Sequence, residues 1–112
     1  FQDAFIAPPE YDLVSLLRDA RRDVSAQTYL RSIAYFATKT AQSDAQVTER
    51  CAVLGVQRNL RILGIFSRLA ERDDKTAYLD LIPRVIEHIR SDLGHPVMAP
   101  LRQSVIPLLT KA

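Results

Sequence analysis

The residue types most often used for catalysis stand here without the neighbours that catalysis requires. His88 and His95 have no carboxylate or second ligand at metal spacing, and an imidazole needs such partners to ligate a metal or relay a proton. Both are read as solvent-facing or locally bonded side chains. Cys51 is the single cysteine, so it has no internal disulfide partner and no second thiolate for a structural zinc site; on an apolar arc of a helix it reads as a small hydrophobe. No GxxxxGKS/T or GxGxxG loop occurs to cradle phosphates. Arg18, Arg21, Arg22 and Arg31 gather positive charge, but Asp19 and Asp23 interleave with them and no aromatic platform accompanies them. That pattern describes a salt-bridged, solvated face rather than a nucleic-acid site.

Three polar residues occupy less ordinary positions. On a helical wheel Arg58 falls among Leu54, Ile62 and Ile65, and Asn59 among Gly55, Leu63 and Phe66. A guanidinium or amide inside an apolar arc must meet a structural partner or face a polar cleft, because burying it unpaired is costly. The structural reading pairs Arg58 with an internal acid and Asn59 with the backbone of a neighbouring helix. The functional reading has both lining a cleft for a polar ligand. Asp12 stands at a helix start, where it can cap and favour the helix dipole.

The elements that must carry these residues are helices. With 112 residues, 47% apolar and 25% charged, the chain suits one domain with one real core. Lys+Arg 15 against Asp+Glu 13 leaves a formal charge of +2, which argues for neither nucleic acid nor an anionic membrane as partner. No apolar run reaches the length of a membrane span. One cysteine suits a reducing, cytoplasmic setting, and an opening Phe1-Gln2-Asp3 without an initiator Met suggests a piece of something longer.

Spacings of three and four recur throughout, so the chain reads as all-α, with about five helices and one long central helix. After an extended Pro8-Pro9 segment to Glu10, the first helix is expected from near Tyr11 to around Val24, burying Leu13, Leu16, Leu17 and Ala20. Ser25 caps a second helix, to about Thr40, with Tyr29, Leu30, Ile33, Ala34 and Ala37 inward. Ser43 to Gln46 spells a capping box that opens the long helix, which runs to about Arg72 with a narrow polar strip of Arg50, Gln57, Arg61 and Arg68. Thr76 to Ile82 reads as a short turn of helix. Pro83 is placed at the first position of the next helix, which buries Val85, Ile86, Ile89 and Leu93 and ends at Gly94 as a C′ residue. A last helix from Ala99 or Pro100 is expected to bury Leu101, Val105, Leu108 and Leu109, and to kink or stop early at Pro107.

Phe1-Gln2-Asp3-Ala4, Pro8 and Tyr11-Asp12-Leu13-Val14-Ser15-Leu16-Leu17-Arg18-Asp19 resemble the stretch after the catalytic loop in aminoglycoside phosphotransferase-like kinases. Gln57 to Phe66, Tyr78-Leu79 and Ile82-Pro83-Arg84-Val85 resemble the bacterial branch that phosphorylates N-acetylmuramate and N-acetylglucosamine at the anomeric position. The resemblance implies the helical C-terminal subdomain of a protein-kinase-like fold, residues 1–112 forming the acceptor-binding part. It implies ATP and Mg²⁺ held by residues outside this chain, with the metal-binding aspartate just before Phe1, and the chain's own N-terminal kinase lobe as partner. It implies no catalytic or metal-binding residue here. Arg58, Asn59 and Gln57 become candidates for binding a sugar or amino-sugar acceptor, with Asp12 and Gln2 supporting the active site. Two alternatives stay open: a non-catalytic helical interaction module, and an aminoglycoside-modifying kinase of the same superfamily.

Overall fold

A computed structural model describes residues 9–73 and 79–109. Among these residues the chain forms five α-helices and no strand: α1 Glu10–Leu17, α2 Ala26–Lys39, α3 Asp44–Asp73, α4 Ile82–Leu93 and α5 Ala99–Leu109, with a 3₁₀ turn at Pro96–Met98 between the last two. The spine is α3, whose 30 residues extend about 45 Å at ~1.5 Å per residue. It packs most extensively on α4, then on α1 and α2.

Burial along α3 divides the core in two. Val47 and Cys51 join Val14 and Leu17 of α1 and Ile33 and Ala37 of α2 in one cluster. Val56 joins Val85, Ile89 and Leu93 of α4, together with Ala20, Met98 and Leu109, in the other. Gly55 therefore lies where the spine passes from one cluster to the next, and Arg58 and Asn59 follow on the stretch whose Val56 and Leu60 belong to the second.

The expected caps form. Ser25 Oγ accepts the Thr28 N–H at 3.1 Å, and the Ser43–Gln46 box closes in both directions, at 3.0 Å from the Ser43 N–H to Gln46 Oε1 and 3.1 Å from the Gln46 N–H to Ser43 Oγ. At the other end of α2, Ala41 has φ 55°, while its N–H and that of Gln42 return to the carbonyls of Thr38 and Ala37. This is a Schellman closure with alanine in the left-handed position that glycine usually takes.

Several boundaries and faces differ from expectation. α1 begins at Glu10, which is buried rather than part of an extended segment, and stops at Leu17 rather than near Val24. The Arg18 N–H closes on Val14 O at 2.9 Å, after which the Asp19 carboxylate takes the Arg21 N–H at 2.9 Å and turns the chain. Arg18 thereby leaves the wet face, and its side chain is mostly buried. Val14 is inward and Leu16 outward at 61% exposure; Leu30 is likewise outward at 64%. Pro83 lies in the first turn of α4, one position after its first residue. Gly94 keeps φ −68°, so α4 ends without a left-handed residue, through N–H contacts to Arg90 and Ser91 carbonyls. α5 continues through Pro107 to Leu109, and only Leu109 of its expected leucines is buried, Leu101 and Leu108 facing out. Of the turn expected at 76–82, residues 76–78 lie outside the described residues; 79–80 form a 3₁₀ turn and Ile82 already opens α4.

Candidate functional site

Arg58 and Asn59 follow Gly55 by one turn of α3, so the three share the side of the helix that faces its partners. Asn59 is fully buried, with 0% exposure, and neither its Nδ2 nor its Oδ1 has a hydrogen-bond partner among the described residues. Arg58 is half-buried, and one of its terminal nitrogens is also buried and unpartnered. The internal acid and the neighbouring backbone that a purely structural role demands are thus not seen among the described residues. Leaving such groups unsatisfied costs about 1–3 kcal/mol each. Gln57 is exposed on the polar strip, beside Arg61, which donates to the Tyr11 hydroxyl at 2.8 Å.

Asp12 is exposed in the first turn of α1, where its charge favours the positive end of the helix dipole. It lines a hollow of 640 Å³ between α1 and α2, with Leu13, Leu16, Arg31, Tyr35 and Phe36 among its neighbours. Arg58 and Asn59 do not line that hollow; nor do they line the two others described, of 400 Å³ and 260 Å³. Asp12 and the α3 pair are therefore carried by packed helices without sharing a described cavity. Gln2 lies outside the described residues.

The 400 Å³ hollow is the most varied chemically. Arg18, Asp23, Tyr29, Glu87, His88 and Ser91 contribute to its walls, and it lies between α4 and the segment joining α1 to α2. Such a mixture of donors, acceptors and an aromatic ring suits a hydroxyl-rich molecule. His88 is held by its Nε2–H, which donates to Asp19 O at 3.2 Å, and burial keeps its pKa below the usual value, so it is neutral at pH 7.

Two buried carboxylates were not singled out by the sequence. Asp92, 2% exposed, receives Arg18 Nε at 3.1 Å and Nη2 at 2.9 Å, and the Arg18 guanidinium lies 4.3 Å from the centre of the Tyr29 ring. Burial lifts the Asp92 carboxyl to about 6, against the downward pull of Arg18. Glu10 accepts from Gln42 at 3.1 Å and Arg50 at 3.2 Å; burial raises its carboxyl, but hydrogen bonds from its own backbone, Gln42 and Arg50 bring it below the usual value. The available signal for Asp92 was its place in an i, i+4, i+8 row with Arg84 and His88. Burial pushes the Cys51 thiol up to about 12, so it is inert as a nucleophile at neutral pH.

Among the described residues no three His, Cys, Asp or Glu side chains converge as a metal site, and no helix is long and apolar enough to cross a membrane. No protein-family model matches the chain. It is 38% identical over 103 residues to the N-acetylmuramate/N-acetylglucosamine kinase of Caulobacter vibrioides, covering 91% of this chain and 28% of that protein. The similarity supports that kinase branch. The protein of the same name from Neisseria meningitidis is 35% identical over 117 aligned positions, 97% of this chain and 35% of its own length. That of Pseudomonas putida is 32% identical over 117 positions, 96% and 34%. The chain spans about a third of the length of the curated relatives it matches.

Proposed function

We propose that this chain is the helical, acceptor-binding part of a cytoplasmic, ATP-dependent kinase that transfers phosphate to a cell-wall amino sugar, within the aminoglycoside phosphotransferase-like superfamily. The observation that carries the proposal is the similarity, over 91–97% of the chain, to proteins named N-acetylmuramate/N-acetylglucosamine kinase. ATP and Mg²⁺ are assigned to an N-terminal lobe outside these residues, as the resemblance to aminoglycoside phosphotransferase-like kinases implies. Phosphoryl transfer relies chiefly on positioning and electrostatic stabilisation. The part assigned to this chain is to hold the acceptor hydroxyl in place.

Arg58, Asn59 and Gln57 are the residues proposed to bind the acceptor, with Asp12 and Gln2 bracing the active site. Support comes from the unsatisfied hydrogen-bonding groups of Arg58 and Asn59 at adjacent positions of the spine. Because Asn59 is fully enclosed, its amide reaches an acceptor only if the helices packed around it move apart. The Arg58 guanidinium suits the carboxylate of a muramic acid.

The test uses the full-length protein. Transfer of phosphate from ATP is measured with N-acetylmuramate, N-acetylglucosamine and an aminoglycoside, then repeated with Arg58→Ala and Asn59→Ala. Activity on the amino sugars alone is expected, with a loss in acceptor kcat/KM of roughly tenfold or more in each variant. Inactivity on both sugars would overturn the kinase reading. Wild-type constants in folded variants would remove these residues from the site. Transfer to the aminoglycoside alone would favour the other branch.

A further inference from the structure

α4 holds the segment between α1 and α2 by a row of side chains spaced one helical turn apart. Arg84 reaches Asp23 Oδ1 at 2.8 Å and Ala20 O at 3.2 Å. His88 donates to Asp19 O at 3.2 Å, and Asp92 takes Arg18 through a forked ion pair whose shortest contact is 2.9 Å. The last link joins four elements. Arg18 caps α1, Tyr29 of α2 stacks on its guanidinium at 4.3 Å, and Asp92 lies against Gly55 of α3 so closely that a Cβ there would be 2.9 Å from Asp92 Cγ.

The location gives this link its consequence. Gly55 precedes Arg58 and Asn59 by one turn, and Arg18 follows Asp12 on the continuous chain of α1. The Arg18–Asp92 fork therefore sets where α1 lies against the stretch of α3 that carries the proposed acceptor residues. A guanidinium fork and a carboxylate define both distance and plane, which a lone ammonium cannot do.

We propose that Arg18 and Asp92 are positioning residues for the acceptor site, fixing the placement of Asp12 relative to Arg58 and Asn59. The inference rests on the kinase reading above and goes beyond it by naming the device that holds the site in register. In this role they act through the placement of other side chains rather than on the transferred phosphate. Loosening the fork displaces acceptor-binding groups while leaving the assigned ATP site, on another lobe, unchanged.

The experiment compares full-length wild type with Arg18→Lys, Asp92→Asn and the apolar pair Arg18→Met/Asp92→Leu. The pair is included because replacing a buried ion pair with matched apolar side chains often preserves folding where a single change does not. Gly64→Ala serves as a helix control, since nothing lies within 4 Å of the added Cβ. In every variant that unfolds cooperatively, the acceptor KM is expected to rise roughly tenfold or more, with the ATP KM within about twofold of wild type. Partial recovery is expected in Arg18→Lys relative to the apolar pair, because Lys keeps the charge and loses the fork. Unchanged acceptor KM in the folded variants, or equal changes in both KM values, would overturn the positioning role. A wild-type enzyme inert on both amino sugars would instead overturn the functional reading on which this inference depends, and the inference with it.

Discussion

Two glycines of α3 test the packing of the Arg18–Asp92 pair by the same substitution with opposite outcomes. At Gly64 an added Cβ meets nothing within 4 Å and the position is exposed, so Gly64→Ala is expected to stabilise by the helix propensity difference of about 1 kcal/mol. At Gly55 the added carbon overlaps Asp92 Oδ2 and lies 2.9 Å from Cγ. A flexible side chain would swing away, but Asp92 is short, 2% exposed and tied to Arg18. Displacing it leaves a buried charge without its partner, which costs about 3–5 kcal/mol. Setting the same propensity gain of about 1 kcal/mol against this loss leaves Gly55→Ala destabilised by about 2–4 kcal/mol. The full-length proteins are compared by urea unfolding, with far-UV circular dichroism as the probe, near pH 7. Equal stabilisation by the two substitutions would refute the argument, because it would mean that Asp92 does not occupy the space beside Gly55.

The turn between α2 and α3 makes a second stability prediction. Ala41 holds φ 55°, a region costing about 1–2 kcal/mol for a residue with a Cβ, so Ala41→Gly is expected to stabilise by up to about 1 kcal/mol after the added unfolded-state entropy; a fall in the urea midpoint would contradict it. Removing the capping hydroxyl with Ser43→Ala deprives the Gln46 N–H of its 3.1 Å acceptor and is expected to cost about 1 kcal/mol in the same assay. Asp92 makes stability depend on pH in a definite direction. Its folded carboxyl, lifted by burial from 3.8 to about 6, binds a proton more tightly than the unfolded one, so its contribution is most favourable below about pH 4 and declines as pH rises to about 6. Wild type is therefore expected to gain on Asp92→Asn between pH 6 and pH 4, by no more than about 3 kcal/mol; parallel pH profiles for the two proteins would exclude the shift. Glu10 and Asp19, whose carboxyls lie below their usual values, act oppositely and lose their contributions as pH falls through their folded pKa values, so the comparison with Asp92→Asn isolates the Asp92 component.

The sequence by itself determined the features that depend on residues a turn or two apart. Helical spacing specified five helices with a long central one, and local cap chemistry specified where α2 and α3 begin, because Ser25 with Thr28 and Ser43 with Gln46 satisfy backbone groups within their own first turns. It also marked Arg58 and Asn59 as polar residues in an apolar arc, since that conflict is visible on the wheel of one helix. Tertiary structure decided what α1 does after Leu17. Residues 18–24 have helical spacing, but Arg84, His88 and Asp92 on a distant helix claim Arg18, Asp23 and the carbonyls of Asp19 and Ala20, and those contacts override local propensity. It likewise turned Leu16, Leu30, Leu101 and Leu108 outward, because an apolar stripe states that a face can be buried and only the packing of partner helices states which side of it is. The pairing of Arg18 with Asp92 spans 74 positions of chain, a separation at which no local spacing rule operates; the folded path alone brings the two charges together.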